Sequence, residues 1–148
     1  MIGIVIVSHS NIASEFLSVL EHIVGKQENI EAISIFPNDD VEKKRGEIIT
    51  AIKNVDQKKG VIVLTDMFGG TPSNLAISVM NEENVEVVAG VNLPMLIKIS
   101  ALREKCNMKE LIKRSPFEPA DVAKSIPALS TKVIFPKASP PASARIST

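Results

Sequence analysis

Residues 2–10 read IGIVIVSHS, an unbroken apolar run from Ile2 to Val7 that stops at Ser8-His9-Ser10. A strand with one wet face alternates apolar and polar side chains, whereas a strand covered on both faces stays apolar throughout. The run therefore predicts a short strand inside a parallel sheet. Directly after it, Ile12, Phe16, Val19, Leu20 and Ile23 recur at steps of three and four, which predicts a helix from Asn11 to Val24. Ser10 or Asn11 can cap that helix and Gly25 can end it.

The same unit recurs in type along the chain. Ile30 to Phe36 predicts a second strand. Asp39 or Asp40 can cap a helix through about Asn54, with Val41, Ile48, Ile49 and Ile52 facing inward. Gly60 to Thr65 (GVIVLT) predicts a third strand. Pro72 suits the first turn of a helix, where its missing N–H leaves nothing unpaired, and that helix runs to about Met80. Val85 to Ala89 predicts a fourth strand, Leu93 to Glu104 a helix opened by Pro94, and Lys109 to Arg114 the start of another. Strands alternating with helices imply βαβ units with right-handed crossovers. The fold class is thus α/β: an open three-layer α/β/α domain with a mainly parallel four- to five-stranded sheet and helices on both faces. No segment repeats at a fixed period.

This domain is expected to span residues 1–114. From Ser115 the character changes, because six of the nine prolines fall beyond it. Residues 115–148 read as a divergent, proline-rich C-terminal tail. Within it, Lys132 to Phe135 (KVIF) suits a short strand, and the final KASPPASARIST reads as disordered.

Composition narrows the function classes. A chain of 148 residues suffices for one α/β domain with a real core. Seventeen basic and seventeen acidic side chains cancel, which leaves no basic footprint for nucleic acid. With no Trp or Tyr and only scattered Phe, there is no stacking platform for single strands either. The single cysteine, Cys106, cannot form an internal disulfide and reads as a small filler, so a reducing compartment is expected. The opening apolar run lacks a basic flank and is too short for a signal peptide. No run of about 18 uncharged apolar residues is available to cross a bilayer. A cytoplasmic location is expected.

In an open parallel sheet, ligands bind outside the carboxyl ends of the strands. Two strand ends here carry reactive polar groups. The first is Ser8-His9-Ser10. The third is Thr65-Asp66, followed by Met67-Phe68-Gly69-Gly70-Thr71-Pro72-Ser73-Asn74. His9 is a nucleophile at neutral pH, and an aspartate on one ring nitrogen fixes the tautomer and frees the other. Asp66 is the candidate for that partner. Gly69-Gly70-Thr71 leads into a helix N-terminus, which offers backbone N–H groups and a favourable dipole to an anion. Each feature also has an ordinary structural use. A histidine after a strand is more often structural than catalytic, His22 being a mid-helix example; an aspartate there is often a cap, and Gly-Gly is often only a turn. On these residues alone the chain is a phosphate-binding α/β domain. There is no GxxxxGK[ST], and no GxGxxG follows the first strand, which excludes a Walker-type NTPase and argues against a dinucleotide fold.

Three segments carry a resemblance. Ile2–Ser10 (IGIVIVSHS), Asp66–Asn74 (DMFGGTPSN) and Gly90–Met95 (GVNLPM) resemble the mannose-type IIA domains of the bacterial phosphoenolpyruvate-dependent sugar phosphotransferase system, in family order and spacing over roughly Met1 to Arg114. The resemblance implies that His9 accepts a phosphoryl group from the carrier protein HPr and passes it to a IIB protein. It implies Asp66 as the hydrogen-bond partner, contacts to the phosphoryl group from Thr71 and the backbone of Phe68, Gly69 and Gly70, and Asn92 in a loop near the site. It implies no metal and no nucleotide cofactor, an indirect link to membrane IIC and IID proteins, and a homodimer. Because no IIB pattern follows, the acceptor is expected to be a separate chain.

Two alternatives stand beside this. The phosphotransferase subunit of dihydroxyacetone kinases begins with a similar strand and histidine motif, although DMFGGTPSN fits the mannose type better. A regulatory module, read in its phosphorylated state without a transport role, would use the same His9.

Overall fold

The computed structural model describes residues 1–81, 84–114, 117–119 and 133–136. In chain order the elements are β1 (Gly3–His9), α1 (Ile12–Val24), β2 (Ile30–Ile35), α2 (Val41–Val55), β3 (Val61–Thr65), α3 (Thr71–Ser78), β4 (Val85–Ala89), α4 (Leu93–Leu102), α5 (Met108–Arg114), β5 (Phe117–Pro119) and β6 (Val133–Pro136). They form one sheet in the order β2-β1-β3-β4-β6-β5. Every neighbouring pair is parallel except β5 with β6. The α/β architecture is the expected one, with six strands where four to five were predicted. The added strand, β5, has three residues and ends in proline, too short to show any alternation in sequence. The expected disordered end, KASPPASARIST, lies outside the described residues.

The continuous apolar strands are explained by two core layers. Val5, Val7, Val61 and Val63 point to one face, where Ile48, Ile52 and Val55 of α2 and Leu75 and Ala76 of α3 cover them. Ile4, Ile6, Ile62 and Leu64 point to the other, under Ala13 and Leu20 of α1, Met95, Leu96 and Ile99 of α4 and Leu111 of α5. Alternate side chains of β1 thus enter different layers, and both layers are buried.

The apolar spacing of α1 and α2 is only partly buried. On α1, Leu20 and Ala13 are buried, while Ile12, Val19 and Ile23 are exposed. At about 100° per residue, Ile12, Phe16, Val19 and Ile23 lie to one side of the line through Ala13 and Leu20. The helix therefore has a wider apolar arc than its contact with the sheet. Val41, expected to face inward, is 51% exposed because it begins α2 beyond the end of the strands.

The amino edge of the sheet is closed by Arg103, which is 2% exposed. Its Nη1 donates to the carbonyls of Asn29 (3.1 Å) and Ile2 (3.4 Å), and its Nη2 to Glu28 O (2.6 Å) and Gln27 Oε1 (3.1 Å). Ile2 N donates back to Arg103 O at 3.0 Å. Burial lowers the guanidinium pKa, and the nearby Glu104 and Glu28 charges oppose that shift. One side chain thereby ties the end of α4 to the starts of β1 and β2.

Candidate functional site

The site is built from the opposite, carboxyl edge. Here β1 hands over to α1 through two residues, Ser10 and Asn11. Ser8 is fully buried, and its Oγ accepts from Ala13 N at 2.6 Å while donating to His9 O at 3.2 Å. Ser8, rather than the expected Ser10 or Asn11, thus satisfies an orphan N–H at the start of α1. It can do so because Ser10 takes a left-handed backbone, φ 50°, folding the chain back over the strand end. Ser10 N then donates to Ile35 O at 2.9 Å, fixing the turn against β2. His9 has the parity of Val5 and Val7, so its side chain belongs to the α2–α3 face.

Asp66 follows β3, the other neighbour of β1. Its Oδ2 accepts from the main-chain N–H of His9 at 3.0 Å and lies 2.8 Å from His9 Nδ1. Its Oδ1 accepts from Met67 N at 3.0 Å. The carboxylate side chain is 12% exposed and the histidine 45%. An ionised carboxylate only accepts, so the 2.8 Å contact assigns the proton to Nδ1 and leaves a lone pair on Nε2. His9 is held at two points by one residue, with the ring itself open to solvent.

Gly70 lies against the far edge of the ring. A Cβ placed on it would meet His9 Cε1 at 2.6 Å and Nε2 at 2.8 Å. Its backbone is ordinary (φ −117°, ψ 176°), so glycine is required for approach to the histidine and not for conformation. Gly69 is the reverse case: a Cβ there would meet nothing within 4 Å, but φ is +92°. The N–H groups of both glycines donate to Ser73 Oγ, at 2.9 and 3.2 Å, which ties the turn to the first turn of α3. In this structure Ser73 therefore engages the N–H groups that sequence reasoning offered to an anion. Ser73 was missed; its signal was a hydroxyl three residues after Gly70, the spacing of a capping box.

Thr71, the first residue of α3, lines a cavity of about 390 Å³ together with His9, residues of the β2–α2 connection, Lys44 and Leu75. Phe68 is half-buried in the turn. Asn92 serves another end: its Oδ1 accepts from Met95 N at 3.0 Å as the cap of α4, and it does not line the cavity beside His9. The Gly90 and Val91 N–H groups both donate to Thr65 O at 2.9 Å, which sets that loop beside β3. His22 is exposed in the last turn of α1, and half-buried Cys106 packs on the α1–α4 layer with its thiol toward Leu102 O at 3.2 Å. Among the described residues, no cluster of His, Cys, Asp and Glu could hold a metal ion.

Fold and site together define an open parallel α/β domain that presents a carboxylate-braced histidine at its ligand-binding edge. Residues 3–115 match the family described as PTS system fructose IIA component (EIIA-man), and the chain belongs to that family. The PTS system fructose-specific EIIA component of Bacillus subtilis (strain 168) is 30% identical over 113 residues, covering 76% of this chain and 77% of that protein. The PTS system mannose-specific EIIAB component of Escherichia coli (strain K12) is 36% identical over 104 residues, 70% of this chain but only 32% of that longer protein. Among solved structures, EIIA from Streptococcus agalactiae superposes with a TM-score of 0.69 at 30% identity, covering 76% of this chain and 88% of that one. The mannose/sorbose-specific IIA subunit from Enterococcus faecalis superposes with a TM-score of 0.66 at 26% identity, covering 93% and 98%. Members of this family are phosphotransferase components of sugar uptake systems, and this chain has a role in sugar phosphotransfer.

Proposed function

We propose that His9 is the phosphoryl acceptor, taking the group from phospho-HPr and passing it to a IIB protein that serves sugar transport. The observation that carries this is the 2.8 Å contact of Asp66 with Nδ1, which leaves Nε2 as the nucleophile beside Gly70. The Nε2 lone pair forms the new N–P bond as the donor's P–N bond breaks, and that bonding pair returns to the donor nitrogen. The ring gains positive charge in this step, and the Asp66 carboxylate stabilises it through Nδ1–H. Thr71, at the N-terminus of α3, lines the same cavity as His9, and the dipole of that helix favours an anion there, which supports this reading. Transfer back out to IIB is the same step in reverse with a new acceptor nucleophile.

No described helix is long and apolar enough to cross a membrane, which is compatible with action in the cytoplasm and only an indirect link to IIC and IID proteins. A homodimer belongs to the same proposal, supported by the exposed Ile12, Val19 and Ile23 on α1. Light scattering that finds only monomer at all working concentrations would remove it. The test of the main reading is incubation with enzyme I, HPr and labelled phosphoenolpyruvate. Label should appear on the wild type and be absent from His9→Ala, whose fold should persist because the side chain is half exposed. Undiminished label on His9→Ala would end the proposal.

A further inference from the structure

The cavity beside His9 is lined by two charged side chains of opposite sign, Lys44 and Asp39, that the transfer chemistry above does not use. It opens between His9, the β2–α2 connection and the start of α3, and Asp66, on the β3 side, does not line it. Nδ1 is turned to Asp66, the ring of His9 lines this space, and its Nε2 lies beside Gly70, the residue before Thr71 of the lining. Its walls are largely apolar, including Ile35, Phe36 and Leu75. Among the described residues that line it, Lys44 of α2 is the one cation.

Lys44 is poised rather than committed. Its side chain is 18% exposed, with Nζ 2.8 Å from Glu47 Oε2 and 3.9 Å from Asp39 Oδ2. The Glu47 side chain is 41% exposed, and a solvated pair of this kind, three residues apart on a helix, is weak. Asp39 Oδ2 already accepts from Phe36 N at 2.8 Å. A phosphoryl group on Nε2 would bring about two negative charges into the same space. A phosphate is a better partner for a lysine ammonium than a single exposed carboxylate, because it offers more charge and more acceptor oxygens.

We propose that Lys44 holds the phosphoryl group once it is on His9, exchanging Glu47 for it and thereby setting how far the transfer equilibrium lies toward this protein. This rests on the phosphocarrier reading above. It makes Lys44 a ligand of the transferred group, while Asp66 orients the nucleophile.

The experiment measures the equilibrium partition of label between HPr and the full chain, for wild type, Lys44→Met, Lys44→Gln, Lys44→Arg and Lys43→Met. Lys43 is exposed, is absent from the cavity lining and carries the same charge, so its variant reports the effect of net charge alone. Both neutral variants at position 44 should lower the partition by about tenfold to a hundredfold, the range for losing one charged hydrogen bond. Lys44→Arg should recover most of it, and Lys43→Met should stay within about twofold of the wild type, as expected of a screened exposed charge. Thermal melts confirm that each variant is folded, and reading two neutral variants keeps the test decisive if one is not. If wild type is labelled on His9 and the neutral variants partition like Lys43→Met, this inference fails and the phosphocarrier reading stands. If wild type takes no label, both fail.

Discussion

The two edges of the sheet solve the same geometric problem in opposite ways. At each, a charged side chain bridges elements far apart in sequence. Asp66 joins β3 to the end of β1, and Arg103 joins α4 to the starts of β1 and β2. At the amino edge the charge is sealed at 2% exposure and its partners are main-chain carbonyls and one amide, which can do nothing but hold. At the carboxyl edge the partner is an imidazole with 45% of its side chain exposed and one nitrogen left unbonded. Closure makes a latch, and incomplete closure leaves an imidazole open to solvent. The glycines differ in the same way: Gly70 at the carboxyl edge lies against the exposed His9 ring, whereas Gly3 and Gly60 at the amino edge lie against the backbone of Val55 and Asn84.

The largest expected effect tests that close approach at the carboxyl edge. Gly70→Ala should abolish phosphoryl transfer to His9 while leaving the melting temperature nearly unchanged, because the backbone at 70 accepts alanine but the ring cannot stay where it is. Gly69→Ala should do the reverse, lowering stability by about 1–2 kcal/mol through its positive φ while retaining more transfer than Gly70→Ala. A label-transfer assay with parallel thermal melts separates the two. Equal transfer by both variants would mean that Gly70 is only a turn residue.

Next in size is the brace. Asp66→Asn keeps the shape but loses the charge and can present a donor to Nδ1, so transfer from phospho-HPr should slow by about 10²–10⁴-fold. A timed transfer assay checks this, and a rate within about threefold of wild type, well below that range, would reduce Asp66 to a turn former. The lifetime of the phosphorylated state has opposing contributions, since the same carboxylate also repels a dianion.

The latch should behave differently from both. Arg103→Met keeps the apolar stem but strands the carbonyls of Ile2, Glu28 and Asn29, which should cost about 2–4 kcal/mol in urea unfolding. Below its melting temperature the variant should still take label on His9. Transfer lost in proportion to Asp66→Asn would show that the two edges are coupled and erase the contrast drawn between them.

This contrast also governed what the sequence revealed. The carboxyl edge was legible because its residues closely follow apolar runs that announce strands: His9 two positions after IGIVIV and Asp66 directly after GVIVLT. Position along a strand then implied position in space. Arg103 had no such announcement. It ends a helix of no special pattern, and its partners, more than 70 residues away, are main-chain carbonyls and the one side-chain amide of Gln27, which carry little sequence signal. Ser8 and Lys44 were hidden for related reasons. Ser8 is read as an extension of the strand until its Oγ is seen on Ala13 N, and Lys44 sits in an ordinary run of charged helix residues until the cavity places it beside His9. The exposed face of α1 was not legible because spacing reports that a helix has an apolar arc, while only the contact with the sheet decides which part of the arc is covered.

The position of the phosphoryl group itself is the most direct measurement. The full chain, phosphorylated with enzyme I, HPr and phosphoenolpyruvate, can be digested for mass spectrometry and examined intact by phosphorus and nitrogen NMR. The expected result is a single acid-labile, alkali-stable phosphate on His9, bonded to Nε2, with Nδ1 still protonated toward Asp66. Phosphate on Nδ1, or on His22, Ser8 or Ser10, would contradict the assignment of the carboxylate-braced ring as the nucleophile.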